Sequence, residues 1–132
     1  MLPLINGDRA KLGVAPVRMN SVLTAFARER SADMVRRNYF NHIDPDGVSP
    51  QTKARAAGIV DGVYENVSWR KGYATIFENA AACQQSMMEE PKNQENHRSN
   101  ILDAKHLTVG VGIAVSATGV IYMTEEFSHT DP

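Results

Sequence analysis

The stretch LTVGVGIAV (residues 107–115) decides the fold of this chain. Its run of apolar and β-branched residues predicts a buried strand. Gly110 and Gly112 lie within the strand and indicate either a close approach of another part of the backbone or a β-bulge. Just before it, ENHRSNIL (residues 95–102) gathers a histidine, an arginine and several short polar side chains into one turn. A polar turn that leads into a buried strand is typical of a scaffold that presents a binding site.

The rest of the chain supplies helices and a second long strand. Residues 108–116 and 120–127 predict two strands joined by a hairpin turn at residues 117–119. A further extended segment is expected at residues 63–69. Four helices are expected before the hairpin, at residues 2–12, 21–37, 49–57 and 75–90. Because the helices precede the hairpin without strand–helix alternation, we expect an α+β fold with an antiparallel sheet, and one domain over residues 1–132.

Composition and charge narrow the classes of function. The net charge is −1, so nothing favours a nucleic acid as partner. Cys83 is the only cysteine, which excludes an intrachain disulfide bond and leaves the redox compartment open. No apolar run is long enough to span a bilayer, and no signal-peptide pattern is visible. The arginines of the helix at residues 21–37 are expected on its solvated face.

Five short motifs follow one another along the chain. They are FNHIDPDG at 40–47, ENV at 65–67, HRSNIL at 97–102, VGVG at 109–112 and YMTEEF at 122–127. Their order resembles the bacterial, SCP-like branch of the CAP superfamily, which comprises cysteine-rich secretory proteins, antigen 5 and pathogenesis-related proteins. The resemblance covers nearly the whole chain. It implies an α-β-α sandwich with a central antiparallel sheet, a central cleft, and a secreted or cell-surface location.

The resemblance also implies a cleft tetrad of two histidines and two glutamates. The histidines are His42 and His97, and the first glutamate is Glu65. The second glutamate is Glu90, with Glu89 as the alternative, because Met87 stands where the family usually has the tryptophan that fixes the register. Tyr64 also replaces the usual glycine before Glu65.

The chemistry of such a tetrad follows from its residue types. Neutral imidazoles are good ligands for zinc or another divalent metal, and His42 and His97 are the candidate ligands, with Glu65 and Glu90 as further candidates. A carboxylate beside an imidazole also fixes its tautomer, with or without a metal. The alternative for any lone histidine is a structural hydrogen bond to the backbone. His106 and His129 are expected to be exposed, and Cys83 is expected to be a core residue rather than a nucleophile.

Two functions remain open at this stage, besides apolar-ligand binding as known elsewhere in the superfamily. The first is a monomeric binding domain whose cleft holds a metal or a small ligand, or which contacts a protein or a cell-wall component. The second is a metal-assisted hydrolase, a peptidase or a cell-wall-active enzyme, with Glu65 or Glu90 as general base. The family resemblance favours the first, since fold alone does not confer an activity.

Overall fold

The structure is a computed structural model that describes residues 1–132, with five helices and four strands. The helices are α1 (Leu2–Lys11), α2 (Ser21–Arg37), α3 (Pro50–Ala56), α4 (Ile76–Met88) and α5 (His97–Ile101). The strands are β1 (Arg18–Met19), β2 (Tyr64–Arg70), β3 (Thr108–Val115) and β4 (Ile121–Ser128). No helix combines the length and the apolar character needed to cross a bilayer.

The four strands form one mixed sheet in the order β1-β3-β4-β2. The three long strands pair antiparallel, as expected, and the α+β class is confirmed. The sheet has in addition one parallel pairing that the sequence did not predict, at the edge where β1 pairs with β3. β1 has only two residues, both exposed, so neither alternation nor an apolar run marks it in the sequence.

Side chains on successive residues of β4 point to opposite faces of the sheet, as the period of a strand requires. Ile121, Met123 and Phe127 lie in an apolar core that also contains residues of α1 and α4. A second, smaller core joins α2 to α3 and to the segment before β2. The sheet therefore lies between two helical layers, which is the sandwich implied by the family resemblance.

The two glycines of β3 set the distance between the sheet and α2. A Cβ atom at Gly110 would collide with the α2 backbone at Leu23, and one at Gly112 would collide with it at Ala27. The expected close backbone approach is thus confirmed. It positions α2 directly against β3, and α2 in turn carries a residue that supports the candidate site.

The helix ends are fixed by local hydrogen bonds. The Asn20 side chain accepts from the Leu23 N–H and caps α2, and Thr75 forms a reciprocal capping box with Glu78 at the start of α4. α4 ends at Met88, two residues earlier than expected, before Pro91. Glu90 therefore lies in the segment between α4 and α5.

Candidate functional site

The four side chains implied by the resemblance line one pocket of about 430 Å³, which we call the cleft. His42 lies in the loop between α2 and α3, Glu65 lies on β2, and His97 is the first residue of α5. Glu90 lies just after α4. The remaining lining is polar or aromatic and consists of Tyr64, Asn66, Asn96 and Asn100.

The tetrad consists of two histidine–glutamate pairs. His42 Nδ1 lies 2.9 Å from Glu65 Oε1, and His97 Nδ1 lies 2.8 Å from Glu90 Oε2. A carboxylate can only accept a hydrogen bond, so Nδ1 carries the proton in each neutral ring. The lone pair of each imidazole is then on Nε2. In both pairs Nε2 is thus the ring nitrogen that remains free to bind a ligand, and the two histidines come from different elements of the fold.

Arg30 of α2 forms a buried ion pair with Glu65. The guanidinium donates to Glu65 Oε2 at 2.7 Å and to Oε1 at 3.0 Å, and both side chains are almost fully buried. Arg30 also donates to the carbonyl of His42 at 2.9 Å, which fixes the loop that carries this histidine. Burial alone would raise the pKa of Glu65, but hydrogen bonds from His42 and Arg30 outweigh it and lower the pKa to about 2.

The burial of Arg30 contradicts the expected solvated face for the arginines of α2. The signal was present in the sequence. Arg30 follows the core residues Phe26 and Ala27 by four and three positions and therefore shares their face of the helix. Sequence reasoning missed it because an arginine on an apolar face needs a buried anion, and the partner Glu65 lies far away in the sequence.

A second buried carboxyl group lies behind Glu65. Glu126 of β4 pairs with Glu65 across the sheet and is completely buried. Burial and the adjacent negative charge of Glu65 raise the pKa of Glu126 well above its ordinary value. With Glu126 neutral, the negative charge of this buried pair of carboxyl groups lies on Glu65. Glu65 is therefore held from several sides and keeps its charge.

His97 is positioned by the first turn of α5. Its predecessor Asn96 caps the helix, accepting from the Ser99 N–H at 2.9 Å, and also donates to the Pro91 carbonyl at 2.8 Å. Glu90 accepts from the Arg98 N–H at 3.3 Å as well as from His97. The segment expected as a simple turn is thus a short capped helix.

The choice between the two candidate glutamates is clear from their contacts. Glu90 contacts His97, whereas Glu89 accepts a hydrogen bond from Gln85 at 2.9 Å on the exposed side of α4. Glu89 is one turn of α4 away from Gln85, as an i,i+4 pair requires. Only Glu90 lines the cleft.

Two asparagines that line the cleft form hydrogen bonds with each other and with their neighbours. Asn100 donates to Asn66 Oδ1 at 2.9 Å, and Asn66 donates to the His97 carbonyl at 3.3 Å. Asn66 also donates to Glu125 Oε2 at 3.1 Å. Glu125 is completely buried, and this burial raises its pKa to about 7. These contacts agree with the structural roles expected for Asn66 and Asn100.

The donor atoms of the cleft fit a metal ion only in part. The chain has one group of three histidine or carboxylate side chains whose donor atoms lie within 4.8 Å of one another, and it is not in the cleft. Glu65 and Glu90 are already bound to histidines, and Glu65 to Arg30 as well. The carboxylates therefore orient the imidazoles, and the two Nε2 atoms are the donors that a cation would meet.

Neither Cys83 nor Ser99 is placed as an activated nucleophile. Cys83 is fully buried in the core, as expected. The Ser99 hydroxyl takes part in the capping box of α5 with Asn96. A larger groove of about 690 Å³ lies between α2 and α3, but Asp33 and Lys53 on its wall are engaged in ion pairs.

The group of three donors outside the cleft consists of Asp103, His106 and His129, which we call the three-donor cluster. Asp103 and His106 lie between α5 and β3, and His129 directly follows β4. The expectation that His106 is exposed is wrong, since only 2 % of it is accessible. Its ring stacks on Phe127 with the ring centroids 4.9 Å apart. A histidine between Lys105 and an exposed Leu107 gives no signal of such burial in the sequence.

Comparison with known families agrees with this geometry. Residues 2–127 match the model of the cysteine-rich secretory protein family, also called CAP. The chain therefore belongs to the CAP family. It is similar to the uncharacterized protein YkwD of Bacillus subtilis, with 33 % identity over 121 residues. That alignment covers 89 % of this chain and 42 % of YkwD, so the chain spans less than half the length of this relative.

Two solved bacterial structures share the fold. One is an extracellular protein containing an SCP domain from Bacillus anthracis, with a TM-score of 0.72 and 22 % identity, covering 96 % of this chain and 38 % of that one. The other is an outer surface protein of Borrelia burgdorferi, with a TM-score of 0.76 and 12 % identity, covering 96 % of this chain and 86 % of that one. At these identities the likeness concerns the fold alone.

Proposed function

We propose that the protein is a secreted or cell-surface binding domain of the CAP type whose cleft takes up a divalent cation such as zinc, or a small polar ligand, without turnover. One observation carries this proposal. His42 and His97 come from different elements, and each is anchored through Nδ1 by its own glutamate beside one pocket. Two oriented lone pairs beside a polar pocket are suited to hold a cation or a hydrogen-bond donor.

The expected affinity for a metal is modest. Two imidazole nitrogens leave the remaining coordination positions of a zinc ion to water or to a ligand that the cation recruits. The glutamates contribute by accepting from Nδ1–H and so orienting the two rings, and Arg30 and Asn66 keep the surrounding backbone in place. A cation held in this way supplies Lewis acidity and a positive charge that attracts an anionic group.

The cellular location of the protein is inferred from the descriptions of its structural neighbours. One structural neighbour is described as extracellular and another as an outer surface protein. These descriptions support a secreted or cell-surface location for the CAP domain. The partner at that location is a small ligand, a protein or a cell-wall component.

A metal-assisted hydrolase is the alternative function of the same cleft, and the electrostatics weigh against Glu65 as its base. A general base works best with a pKa near the operating pH. The pKa of Glu65 is lowered to about 2, and its oxygens already accept from Arg30 and His42. If hydrolysis occurs, its base is Glu90, and Glu90→Gln should lower turnover by at least about 100-fold, the low end for general acid–base catalysis.

The binding proposal is tested by calorimetric titration of metal-stripped protein with zinc. The titration uses a variant with Asp103→Asn and His129→Gln, which removes two donors of the three-donor cluster. This variant is expected to bind zinc, and adding His42→Ala or His97→Ala is expected to abolish the binding heat. Zinc binding that survives both alanine substitutions would contradict the proposal.

A further inference from the structure

The three-donor cluster lies outside the cleft, and Tyr64 separates the two. The ring of Tyr64 lines the cleft and stacks on His129, with the ring centroids 4.3 Å apart. Asp103, His106 and His129 thus occupy the far side of this tyrosine. The cluster joins the loop before β3 to the residue that follows β4.

We infer that Asp103, His106 and His129 form a second cation site, which binds a divalent transition metal of the zinc type through one carboxylate and two imidazoles. The three donor atoms lie within 4.8 Å of one another, and His129 Nε2 is 3.6 Å from Asp103 Oδ2. Bonds of about 2.0–2.1 Å in a tetrahedral zinc site place the donors about 3.4 Å apart. To reach this geometry the donor atoms must close from separations of up to 4.8 Å.

Unpartnered buried nitrogens are the independent observation that points to a ligand. His106 Nδ1 and His129 Nε2 are both buried, and neither has a hydrogen-bond partner. A buried polar atom without a partner is destabilising, so each one calls for an explanation such as a bound ion or water. Two of them beside a carboxylate are explained together by one bound cation.

The second nitrogen of each ring has a hydrogen-bond partner, and for His106 this partner fixes the tautomer that a metal ligand requires. Asn100 donates to Asn66 through its amide nitrogen, so its Oδ1 is an acceptor, and His106 Nε2–H donates to it at 2.8 Å. This contact places the lone pair of His106 on Nδ1. His129 Nδ1 lies 3.3 Å from the Tyr64 hydroxyl, and when Nδ1–H donates to this oxygen the lone pair is on Nε2.

The protonation states of His106 and Asp103 are suited to binding a cation. Burial, with smaller contributions from the nearby charges of His129 and Arg9, lowers the pKa of His106 to about 4, although Asp103 opposes the shift. Burial would raise the pKa of Asp103, but the hydrogen bond from the Lys105 N–H and neighbouring positive charges lower it. At neutral pH the cluster therefore offers a neutral His106 ring and an ionised carboxylate.

One positive charge opposes the bound cation and limits its affinity. The buried guanidinium of Arg9 donates to the carbonyls of Ile101 at 2.6 Å and Asp103 at 3.0 Å. It holds the loop that carries Asp103 in position, but its charge repels a metal ion. Asp103 and His129 are each about one-third exposed, so water can complete the coordination shell.

The test separates this site from the cleft by using metal-stripped protein that carries His42→Ala and His97→Ala. Equilibrium dialysis against zinc is expected to give one bound ion per chain in this background. Adding Asp103→Asn or His129→Gln is expected to weaken binding by at least about tenfold, the lower bound for loss of a supporting contact. Asp61→Asn, which removes an equal charge from an exposed turn, is expected to leave binding unchanged.

A second measurement needs no substitution in the cluster. Cobalt added to the same background is expected to give a visible absorption band that zinc displaces, and zinc is expected to shift the imidazole resonances of His106 and His129 together. Failure to bind zinc in this background would overturn the inference, as would unchanged binding in Asp103→Asn and His129→Gln. In that case water would be the partner of the two nitrogens. The result is independent of the cleft, whose two histidines are absent from the background.

Discussion

Arg30 donates two hydrogen bonds to Glu65, at 2.7 and 3.0 Å, and the pair is almost fully buried beneath the cleft. Arg30 also holds the carbonyl of His42, so a single guanidinium fixes the carboxylate and the loop of the first histidine–glutamate pair. The position of His42 thus depends on a helix residue that does not line the cleft.

Replacing Arg30 by methionine should be strongly destabilising. Arg30→Met leaves the Glu65 carboxylate buried beside Glu126 without its cation, and breaking a buried ion pair costs about 3–5 kcal/mol. The free energy of unfolding from urea titration measures the loss. Arg28→Met, at an exposed position of the same helix, is the matched control and should change it by less than about 0.5 kcal/mol. If the two substitutions changed the free energy of unfolding equally, the structural role proposed for Arg30 would be contradicted.

A methyl group at Gly112 should disrupt the contact between β3 and α2. Gly112→Ala puts its Cβ into the α2 backbone at Ala27, which neither element can avoid without moving. We expect a loss of at least about 2 kcal/mol, seen as a lower melting temperature. Gly7→Ala is the control, because nothing lies near its added Cβ, and alanine in a helix should stabilise by up to about 1 kcal/mol. A Gly112→Ala protein as stable as the parent would show that β3 and α2 lie further apart.

These two predictions differ in how much of their basis was visible in the sequence. The glycines within an apolar strand indicated a close backbone approach before the fold was known, because glycine weakens a strand interior and often marks such an approach. The anion partner of Arg30 was not visible, since it depends on a contact between α2 and β2 over 35 positions. Similarly, the order of the motifs predicted that His42, Glu65, Glu90 and His97 belong to one cleft. The burial of His106 could not be predicted in this way, because it depends on aromatic stacking with residues distant in the chain.

Glu125 should make stability depend on pH. Burial raises its pKa to about 7 in the folded protein, while the unfolded chain titrates near the ordinary value of 4.5. Between these values the folded state binds more protons, so its stability is fully present below about 4.5 and falls as the pH rises through 7. Each unit corresponds to about 1.4 kcal/mol, which predicts a decrease of a few kcal/mol.

The measurement compares the urea unfolding of the parent and of Glu125→Gln at pH 5 and at pH 8. The glutamine keeps an acceptor for Asn66 and cannot ionise, so the variant should lose less stability than the parent between these pH values. Identical pH dependence of the two proteins would mean that Glu125 titrates normally.

The glutamate beside His97 should affect metal binding in a position-specific way. Glu90→Gln keeps an acceptor for His97 Nδ1–H but removes the negative charge beside the ring, so zinc binding in the cleft should weaken about 10- to 100-fold. Glu89→Gln makes the same chemical change one residue earlier, where the side chain contacts Gln85 instead. Calorimetry should find its affinity unchanged, and equal losses in both variants would argue for a non-specific charge effect.

The most direct measurement is the nitrogen-15 chemical shifts of the His42 and His97 rings, assigned through His42→Ala and His97→Ala and followed during a zinc titration. The account predicts that both neutral rings carry their proton on Nδ1, facing Glu65 and Glu90, and that zinc shifts both Nε2 resonances together. A ring protonated on Nε2, or Nε2 resonances that zinc leaves in place, would contradict a cleft in which two oriented imidazoles bind a cation.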